Sequence, residues 1–233
     1  MRLYFILSLL LATQVHGQEF SREVDSLVNQ ARTTKKLELK GLYLTTIPKQ
    51  VFELKDLEEL NLFDNELKEI PDDIGKLKEL RILTLDWNPI EEVSDELFDL
   101  PNLKELSFYG GALKNSRPIK KNIQRLKKLE SLTIDGTSLR RMPKGITKLP
   151  NLTKLNMDGC DIVKIPRTIG DLQNLTVLFI QANNFLKDIP DEFYSLTDLK
   201  KLYCAGTQIP VDKLKKFKLK VPDCEISDNR LNE

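Results

Sequence analysis

Leucine and other apolar residues recur along the chain at a nearly constant spacing. In LEELNLFDN from Leu57 and LRILTLDWN from Leu80, the first, fourth and sixth positions are apolar and most of the others are polar. Units that share this pattern start at residues 34, 57, 80, 103, 129, 152, 175, 199 and 221. Of the 27 positions so defined, 26 are apolar and only Thr34 is not, which indicates that the chain is built from internal repeats.

Each unit predicts one short strand followed by a return path. The alternation of apolar and polar residues in the L-x-L segment is typical of a strand with one buried face. A proline after isoleucine, as in IPDDIGKL at residues 70–77 and IPRTIGDL at residues 165–172, begins the return. One unit cannot bury its own apolar side, so the units are expected to stack on one another.

These repeats resemble the leucine-rich repeat family, whose unit follows L-x-x-L-x-L-x-x-N/C-x-L. The IPxxIGxL segments are similar to its 23-residue Ras-suppressor-like class, common in bacteria, and the resemblance covers residues 34–229. It implies an α/β repeat solenoid, a horseshoe with a parallel concave sheet of about nine short strands and with turns and short helices on the convex side. It also implies a recognition module rather than an enzyme, because catalysis in this family comes from attached domains.

The two ends of the chain differ from the repeats. Residues 1–17 combine a basic start, a short apolar run and small residues, which predicts a secretory signal peptide. The protein is therefore expected to be exported to the periplasm, the cell surface or the medium. The apolar run is too short to span a bilayer, so no transmembrane segment is expected in the mature chain. Residues 18–33 predict an N-terminal capping helix, and residues 230–233 form a C-terminal tail.

The ninth position of each unit is expected to face inward and to hydrogen-bond the turn backbone of neighbouring units, as the resemblance implies. This structural ladder comprises Asn65, Asn88, Thr137, Cys160, Asn183, Thr207 and Asn229. Cys204 and Cys224 fall on core positions of adjacent units but two residues out of step. Their α-carbons are then about 8 Å apart, too far for a disulfide, so three free buried thiols are expected.

Positions five, seven and eight of each unit are expected to lie on the concave face or at its edge. The aromatic and acidic residues there that we expect to contact a protein partner are Phe63, Asp64, Asp86, Trp87, Tyr109, Asp135, Asp158, Phe179 and Tyr203. Phe63, Trp87 and Tyr109 come from consecutive units and are expected to form one patch. Such exposed rings are frequent interface anchors, although the rings could instead cover each other or the sheet.

Asp135 and Asp158 occupy the same column of neighbouring units, which allows two further hypotheses. Carboxylates about 5 Å apart are typical of a retaining glycosidase, so a carboxylate-pair hydrolase is an alternative. With Asn156 they could also begin a calcium site, although calcium needs six to eight ligands. An open sheet surface is expected to leave both carboxyl pKa values unshifted, because it does not exclude water. We therefore expect no catalytic residue and no metal site.

The charges narrow the choice of ligand. The chain has 36 basic and 35 acidic residues, a net charge of +1, which argues against a nucleic-acid-binding protein. The single histidine, His16, lies in the predicted signal peptide. Histidine-dependent catalysis and histidine-ligated zinc are therefore excluded from the mature chain, and no cofactor is predicted. The longest unit carries a basic stretch whose candidate anion-binding residues are Lys114, Arg117, Lys120, Lys121 and Arg125. An anionic polymer is therefore an alternative ligand. A cell-envelope glycan is another, because aromatic rings beside carboxylates also suit sugar rings.

Overall fold

The computed structural model describes residues 21–110, 113 and 115–231. The predicted signal peptide and Lys114 lie outside the described residues. The strands, in chain order, are β1 (Lys36–Glu38), β2 (Glu59–Asn61), β3 (Glu69–Ile70), β4 (Ile82–Thr84), β5 (Glu92–Val93), β6 (Glu105–Ser107), β7 (Ser131–Thr133), β8 (Lys154–Asn156), β9 (Val177–Phe179), β10 (Lys201–Tyr203) and β11 (Glu225–Ser227).

Nine of these strands, all except β3 and β5, form one parallel sheet in the order of the chain. The central leucines of the first eight pair in register with one another, namely Leu37, Leu60, Leu83, Leu106, Leu132, Leu155, Leu178 and Leu202. The strands β3 and β5 pair with each other in a second, small parallel sheet after the turn that follows each main strand. The predicted parallel sheet of nine short strands is confirmed.

Short helices carry the chain back on the side opposite the main sheet. The α-helices are α1 (21–34), α2 (Arg117–Asn122) and α3 (Val211–Lys220), and the 3-10 helices are Lys49–Glu53, Asp72–Lys76, Asp95–Asp99, Ile123–Arg125, Ile146–Lys148, Arg167–Asp171, Asp191–Ser195 and Asn229–Leu231. Pro71 holds an extended backbone immediately before the second 3-10 helix, in which Ile74 is buried. Proline and buried isoleucine therefore fix the start and the inner face of such a turn.

One apolar core runs along the whole stack. The residues at positions one, four and six of a unit are buried, as Leu57, Leu60 and Leu62 show. Because each unit covers the next, the units at the two ends need other cover. At the N-terminal end α1 provides it by burying Val24 and Val28 against the first unit.

The structure corrects the predicted register of the last unit. Ile226 of β11 lies opposite Leu202 of β10, which puts Ile226 at the fourth position of the unit instead of the predicted sixth. The buried Cys224 takes the place of the first apolar residue, since its N–H donates to the Val221 carbonyl as the N–H of Leu199 does to the Leu196 carbonyl. The helix α3 stands where other units have a short 3-10 helix on the return path.

Asn229 was predicted to belong to the ladder, and this prediction is wrong. In the corrected register it is exposed at the seventh position, while Asp228 occupies the buried sixth position. The Asp228 carboxylate accepts hydrogen bonds from Nε and Nη2 of Arg230, and the Cys204 thiol lies 3.7 Å from it. The guanidinium of Arg230 holds the pKa of the Asp228 carboxyl below its usual value. A paired carboxylate therefore replaces an apolar residue at this end of the core.

The prediction of three free, buried cysteines is confirmed. Burial raises the pKa of the Cys160 and Cys204 thiols to about 12 and that of Cys224 to about 11. The thiolate is the reactive form of cysteine, so these groups are protonated and unreactive at neutral pH. All three are part of the structure of the core.

Candidate functional site

The inward polar ladder is formed by most of the residues predicted for it. The Asn65 side chain accepts from Leu42 and Leu44 N–H and donates to the Leu39 and Leu62 carbonyls, so that it joins its own turn to the preceding one. Asn88, Cys160, Asn183 and Thr207 also hydrogen-bond backbone groups of the turns. Thr137 is buried there, but its hydroxyl has no hydrogen-bond partner among the described residues. This ladder fixes the turns that carry the edge of the concave face.

We use the term concave face for the side chains that point outward from the nine-stranded sheet and its immediate edge. Phe63, Trp87 and Tyr109 lie there on three consecutive units, with 38%, 54% and 43% of their surfaces exposed. The Trp87 and Tyr109 rings meet edge to face, with centroids 6.3 Å apart. The two rings form the centre of the predicted patch, and Phe63 occupies the column of Tyr109 on an earlier unit. These large apolar surfaces remain open to solvent.

Trp87 has an unusual backbone conformation for a large residue. Its φ is +53°, in the left-handed region that favours glycine. The eighth position has a positive φ in the first eight units, and five of them have glycine there: Gly41, Gly110, Gly136, Gly159 and Gly206. The other three carry Asp64, Trp87 and Ala182. A left-handed backbone costs a non-glycine residue about 1 kcal/mol or more, so the tryptophan occupies this position at a cost in stability.

A second aromatic cluster lies on the concave face toward the C-terminal end. The rings of Phe179 and Tyr203 stack in parallel, with centroids 4.4 Å apart and an interplanar angle of 3°. The Lys154 Nζ lies 5.9 Å from the centre of the Phe179 ring. Both rings are half-buried, because each covers one side of the other. This cluster therefore offers less free apolar surface than Trp87 and Tyr109 do.

Asp135 and Asp158 lie between the two aromatic clusters, and Asp86 lies in the same column next to Trp87. Each of the three carboxylates accepts a backbone hydrogen bond. Asp86 accepts from Tyr109 N–H at 2.7 Å, Asp158 from Gln181 N–H at 2.6 Å and Asp135 from Gly110 N–H at 3.2 Å. Each of these bonds joins neighbouring units. Asp64, in contrast, is exposed at the edge of the sheet. The three half-buried aspartates therefore connect units as well as giving the middle of the concave face a negative charge.

The expectation that the open sheet would leave the carboxyl pKa values unshifted is wrong. Burial raises the pKa of Asp158 to about 6, and the negative charge of Asp135 adds to the rise, while the Gln181 N–H opposes it. Burial also raises the pKa of Asp135, against the Gly110 N–H and with a smaller contribution from Asp86. Neighbouring side chains on adjacent units shield these carboxylates from water, because units stack only about 4.8 Å apart. The middle of the concave face therefore changes its charge in mildly acidic solution.

Two of the five residues of the predicted anion patch are neutralised by carboxylates of the preceding unit. Lys121 forms an ion pair with Asp95 at 2.9 Å, and Arg125 forms one with Asp99. Arg117 and Lys120 are exposed on α2, and Lys114 lies outside the described residues. The structure therefore brings together fewer free cations here than the linear sequence indicated.

Sequence reasoning missed a second basic cluster. Arg141, Lys144, Lys164 and Arg167 line one open cavity of about 490 Å³ on the fifth and sixth units. Arg141 and Lys164 are one repeat apart, as are Lys144 and Arg167, so each pair occupies one position of neighbouring units. The repeat period was the signal that could have revealed this cluster, because these residues do not form a continuous basic run.

Two features are absent from the described residues. No helix among them is long and apolar enough to cross a membrane. No group of three or more histidine, cysteine, aspartate or glutamate side chains in the described part of the chain is arranged to hold a metal ion.

The stacked units, the polar ladder and the open sheet define the chain as a repeat solenoid. The family described as "Leucine-rich repeat region" matches residues 22–142, and two further leucine-rich repeat descriptions match residues 151–172 and 173–216. The chain belongs to the leucine-rich repeat family. No curated protein matches it in sequence.

Solved structures share this fold. A leucine-rich repeat protein of Leptospira interrogans is 27% identical, with a TM-score of 0.65 over 82% of this chain and 54% of its own. The plant peptide hormone receptor RGFR1, in complex with RGF2, is 30% identical, with a TM-score of 0.67 over 83% and 32%. The chain thus spans about half and a third of these two proteins. Internalin C2 of Listeria monocytogenes, at 17% identity and a TM-score of 0.64 over 88% and 92%, shows the same fold.

Proposed function

We propose that this protein is an exported, non-enzymatic recognition module that binds a protein partner through its concave face. Leucine-rich repeat proteins are typically interaction scaffolds, and one similar structure is a receptor in complex with RGF2. Several units contribute side chains to one continuous surface in such a fold, which suits it to the recognition of extended partner surfaces. The exported location rests on the predicted signal peptide at residues 1–17.

The observation that carries this proposal is the position of Trp87. Its side chain is 54% exposed, so burial in the core does not explain its presence. Its left-handed backbone makes glycine the more stable choice, and five other units have glycine at this position. A residue that costs stability and leaves its ring in solvent is explained by a contact outside the chain.

The surroundings of Trp87 indicate the chemistry of the partner. Trp87 and Tyr109 offer apolar surface with polar edges, and Phe179 with Tyr203 offers a second aromatic surface further along the sheet. Carboxylates lie between them and accept hydrogen bonds. A partner segment with apolar side chains at both ends and donor groups in the middle therefore matches this face.

The proposal is tested with three baits: the wild type, a variant with Phe63→Ala, Trp87→Ala and Tyr109→Ala, and a control variant with Tyr43→Ala, Phe185→Ala and Leu219→Ala. The control removes the same number of exposed apolar side chains from outside the concave face. Baits are presented to envelope and culture extracts, and cross-linked partners are identified by mass spectrometry. We expect one partner to be retained by the wild type and the control and lost by the first variant.

All three baits must unfold at the same temperature, so that a loss of capture reports a lost surface. Equal capture by the first variant and the wild type would exclude the aromatic patch as the site. Loss of capture after polysaccharide digestion, rather than after protease treatment, would favour the glycan alternative instead. Trp87 is the only tryptophan, so its fluorescence then provides an independent binding signal at the proposed site.

A further inference from the structure

The cluster of Arg141, Lys144, Lys164 and Arg167, which we term the basic array, is a two-by-two arrangement of cations. Arg141 and Lys164 pair in a parallel β-bridge, so their backbones are direct neighbours in adjacent units. Lys144 and Arg167 are related by the same step of one repeat. Each unit therefore presents two cations, and the pairs repeat at the spacing of the stack, about 4.8 Å. Arg141 and Lys164 lie on the return path and Arg167 begins a convex 3-10 helix, so the array lies away from the concave face.

The array has little negative charge to neutralise it. Among the described residues, Arg141, Lys144 and Lys164 form no ion pair, and Arg167 has only Glu192, at 3.9 Å. On the fourth unit, by contrast, Lys121 and Arg125 form ion pairs with Asp95 and Asp99 of the preceding unit. Uncompensated like charges in one cavity repel one another and destabilise the fold.

The fold itself does not require basic residues at these two positions. The second and third units carry Glu69 and Glu92 where the array has Arg141 and Lys164, and those glutamates lie on β3 and β5 in the equivalent small sheet. The same two units carry Asp72 and Asp95 in place of Lys144 and Arg167. Each of the two positions accepts a residue of either charge, so packing does not explain why all four residues of the array are basic.

The lining of the cavity suits a ligand in which a linear chain joins several anionic groups. Besides the four cations, the cavity is lined by Met142, Pro166 and Thr168. Pro166 is half-buried and Thr168 is exposed, so a proline ring and a hydroxyl line the cavity together with the cations. Phosphate and sulfate groups are bound by such pairs of arginine and lysine donors.

We propose that the basic array binds a linear polyanion that carries phosphate or sulfate groups, with one group held by the two cations of each unit. A chain with regularly spaced charges matches two cationic pairs at the repeat spacing, whereas a single free ion engages only one of them. This site is separate from the concave face and does not depend on the function proposed for it.

Inorganic polyphosphate is the probe for this site, and binding is measured by titration calorimetry at several salt concentrations. The test variant carries Arg141→Ser and Lys164→Ser. The control variant carries Arg22→Ser and Lys49→Ser, which removes one arginine and one lysine from exposed positions near the N-terminal end of the stack. We expect the test variant to bind polyphosphate at least about tenfold more weakly than the wild type. The slope of log K against log salt concentration should fall by about 0.7 for each cation removed, as it does for single-stranded polyelectrolytes. The control variant is expected to bind like the wild type.

Three outcomes would overturn the proposal. The first is equal affinity of the test variant and the wild type, and the second is an equal loss in both variants, which would indicate attraction to basic surface in general. The third outcome concerns the source of the anion. In that outcome, either monomeric phosphate binds as tightly as polyphosphate does when both affinities are expressed per phosphate group, or vesicles of phosphatidylglycerol bind while polyphosphate does not. Either result would show that the ligand is not a linear polymer. Circular dichroism must show that each variant is folded.

Discussion

The indole ring of Trp87 packs directly against the α-carbon of Gly110 in the next unit. A β-carbon built on Gly110 would lie only 2.9 Å from Cδ2 of Trp87, and the φ of Gly110 is +87°. The absence of a side chain at this glycine therefore determines where the exposed indole rests. Gly110 also donates its N–H to Asp135, so the same residue links the aromatic patch to the row of aspartates.

Gly110→Ala is expected to displace the indole and to lower the free energy of unfolding by about 2–3 kcal/mol, through backbone strain and steric overlap together. Gly159→Ala is the matched control, since Gly159 has the same position and a positive φ but only ordinary contacts at 3.8 Å. The control should lose about 1 kcal/mol, from strain alone. The emission of the single tryptophan should shift in the first variant only, and equal emission in both would contradict the proposed contact.

The leucine spacing was sufficient to place the strands of the first eight units, because every apolar position of the pattern is a core position. It misplaced the ninth unit for an identifiable reason. The true register puts Asp228 at a core position, and only its pairing with Arg230 makes that burial tolerable. The pattern of apolar residues favours the register with Cys224 at the fourth position and Ile226 at the sixth, because the pattern carries no information on such pairs.

The candidate site, too, could be predicted only in part from the sequence. The columns of the concave face follow from the repeat, so Trp87 and Tyr109 could be predicted as neighbours. The shielding of Asp158 could not, because it depends on how the side chains of adjacent units cover one another. The basic run was also misjudged, because its neutralising partners Asp95 and Asp99 lie about one unit earlier in the chain and only the stack brings them together.

The left-handed backbone at the eighth position predicts that a glycine would stabilise the seventh unit. Ala182 has a φ of +54° and is exposed, so Ala182→Gly should raise the free energy of unfolding by about 1 kcal/mol. Ala205→Gly is the same chemical change at a position without a positive φ and should instead lower it by about 0.5–1 kcal/mol. Urea denaturation measures both values, and a shared sign would refute the conformational explanation.

The ladder predicts opposite effects for two identical substitutions. The buried Thr137 hydroxyl has no partner among the described residues, so Thr137→Val should raise the free energy of unfolding by about 1 kcal/mol. The Thr207 hydroxyl donates to the Cys204 carbonyl at 2.8 Å, so Thr207→Val should lower it by about the same amount. Thermal and urea unfolding check the pair. A loss of stability in Thr137→Val would show that the Thr137 hydroxyl of the wild type has a hydrogen-bond partner in solution.

The raised pKa of Asp158 predicts how stability depends on pH. Its pKa is about 6 in the folded protein and about 3.9 in an unfolded chain. At pH values between these two pKa values, Asp158 binds more protons in the folded state than in the unfolded state. This carboxyl group therefore makes the protein more stable as the pH falls from 7 to 4. Because the carboxylate is only half-buried, solvent screening reduces the expected gain to about 1 kcal/mol.

Asp158→Asn removes this titration and keeps an oxygen that accepts the Gln181 N–H. The variant should be more stable than the wild type by about 1 kcal/mol at pH 7.5, and the difference should vanish near pH 4. Asp64→Asn removes the same formal charge from an exposed side chain at the edge of the sheet and serves as the control. Urea unfolding across this pH range measures the differences, and NMR titration of the Asp158 carboxyl carbon gives its pKa directly. A midpoint near 4 would mean that water reaches this carboxylate freely and that the concave face keeps its full negative charge in mild acid.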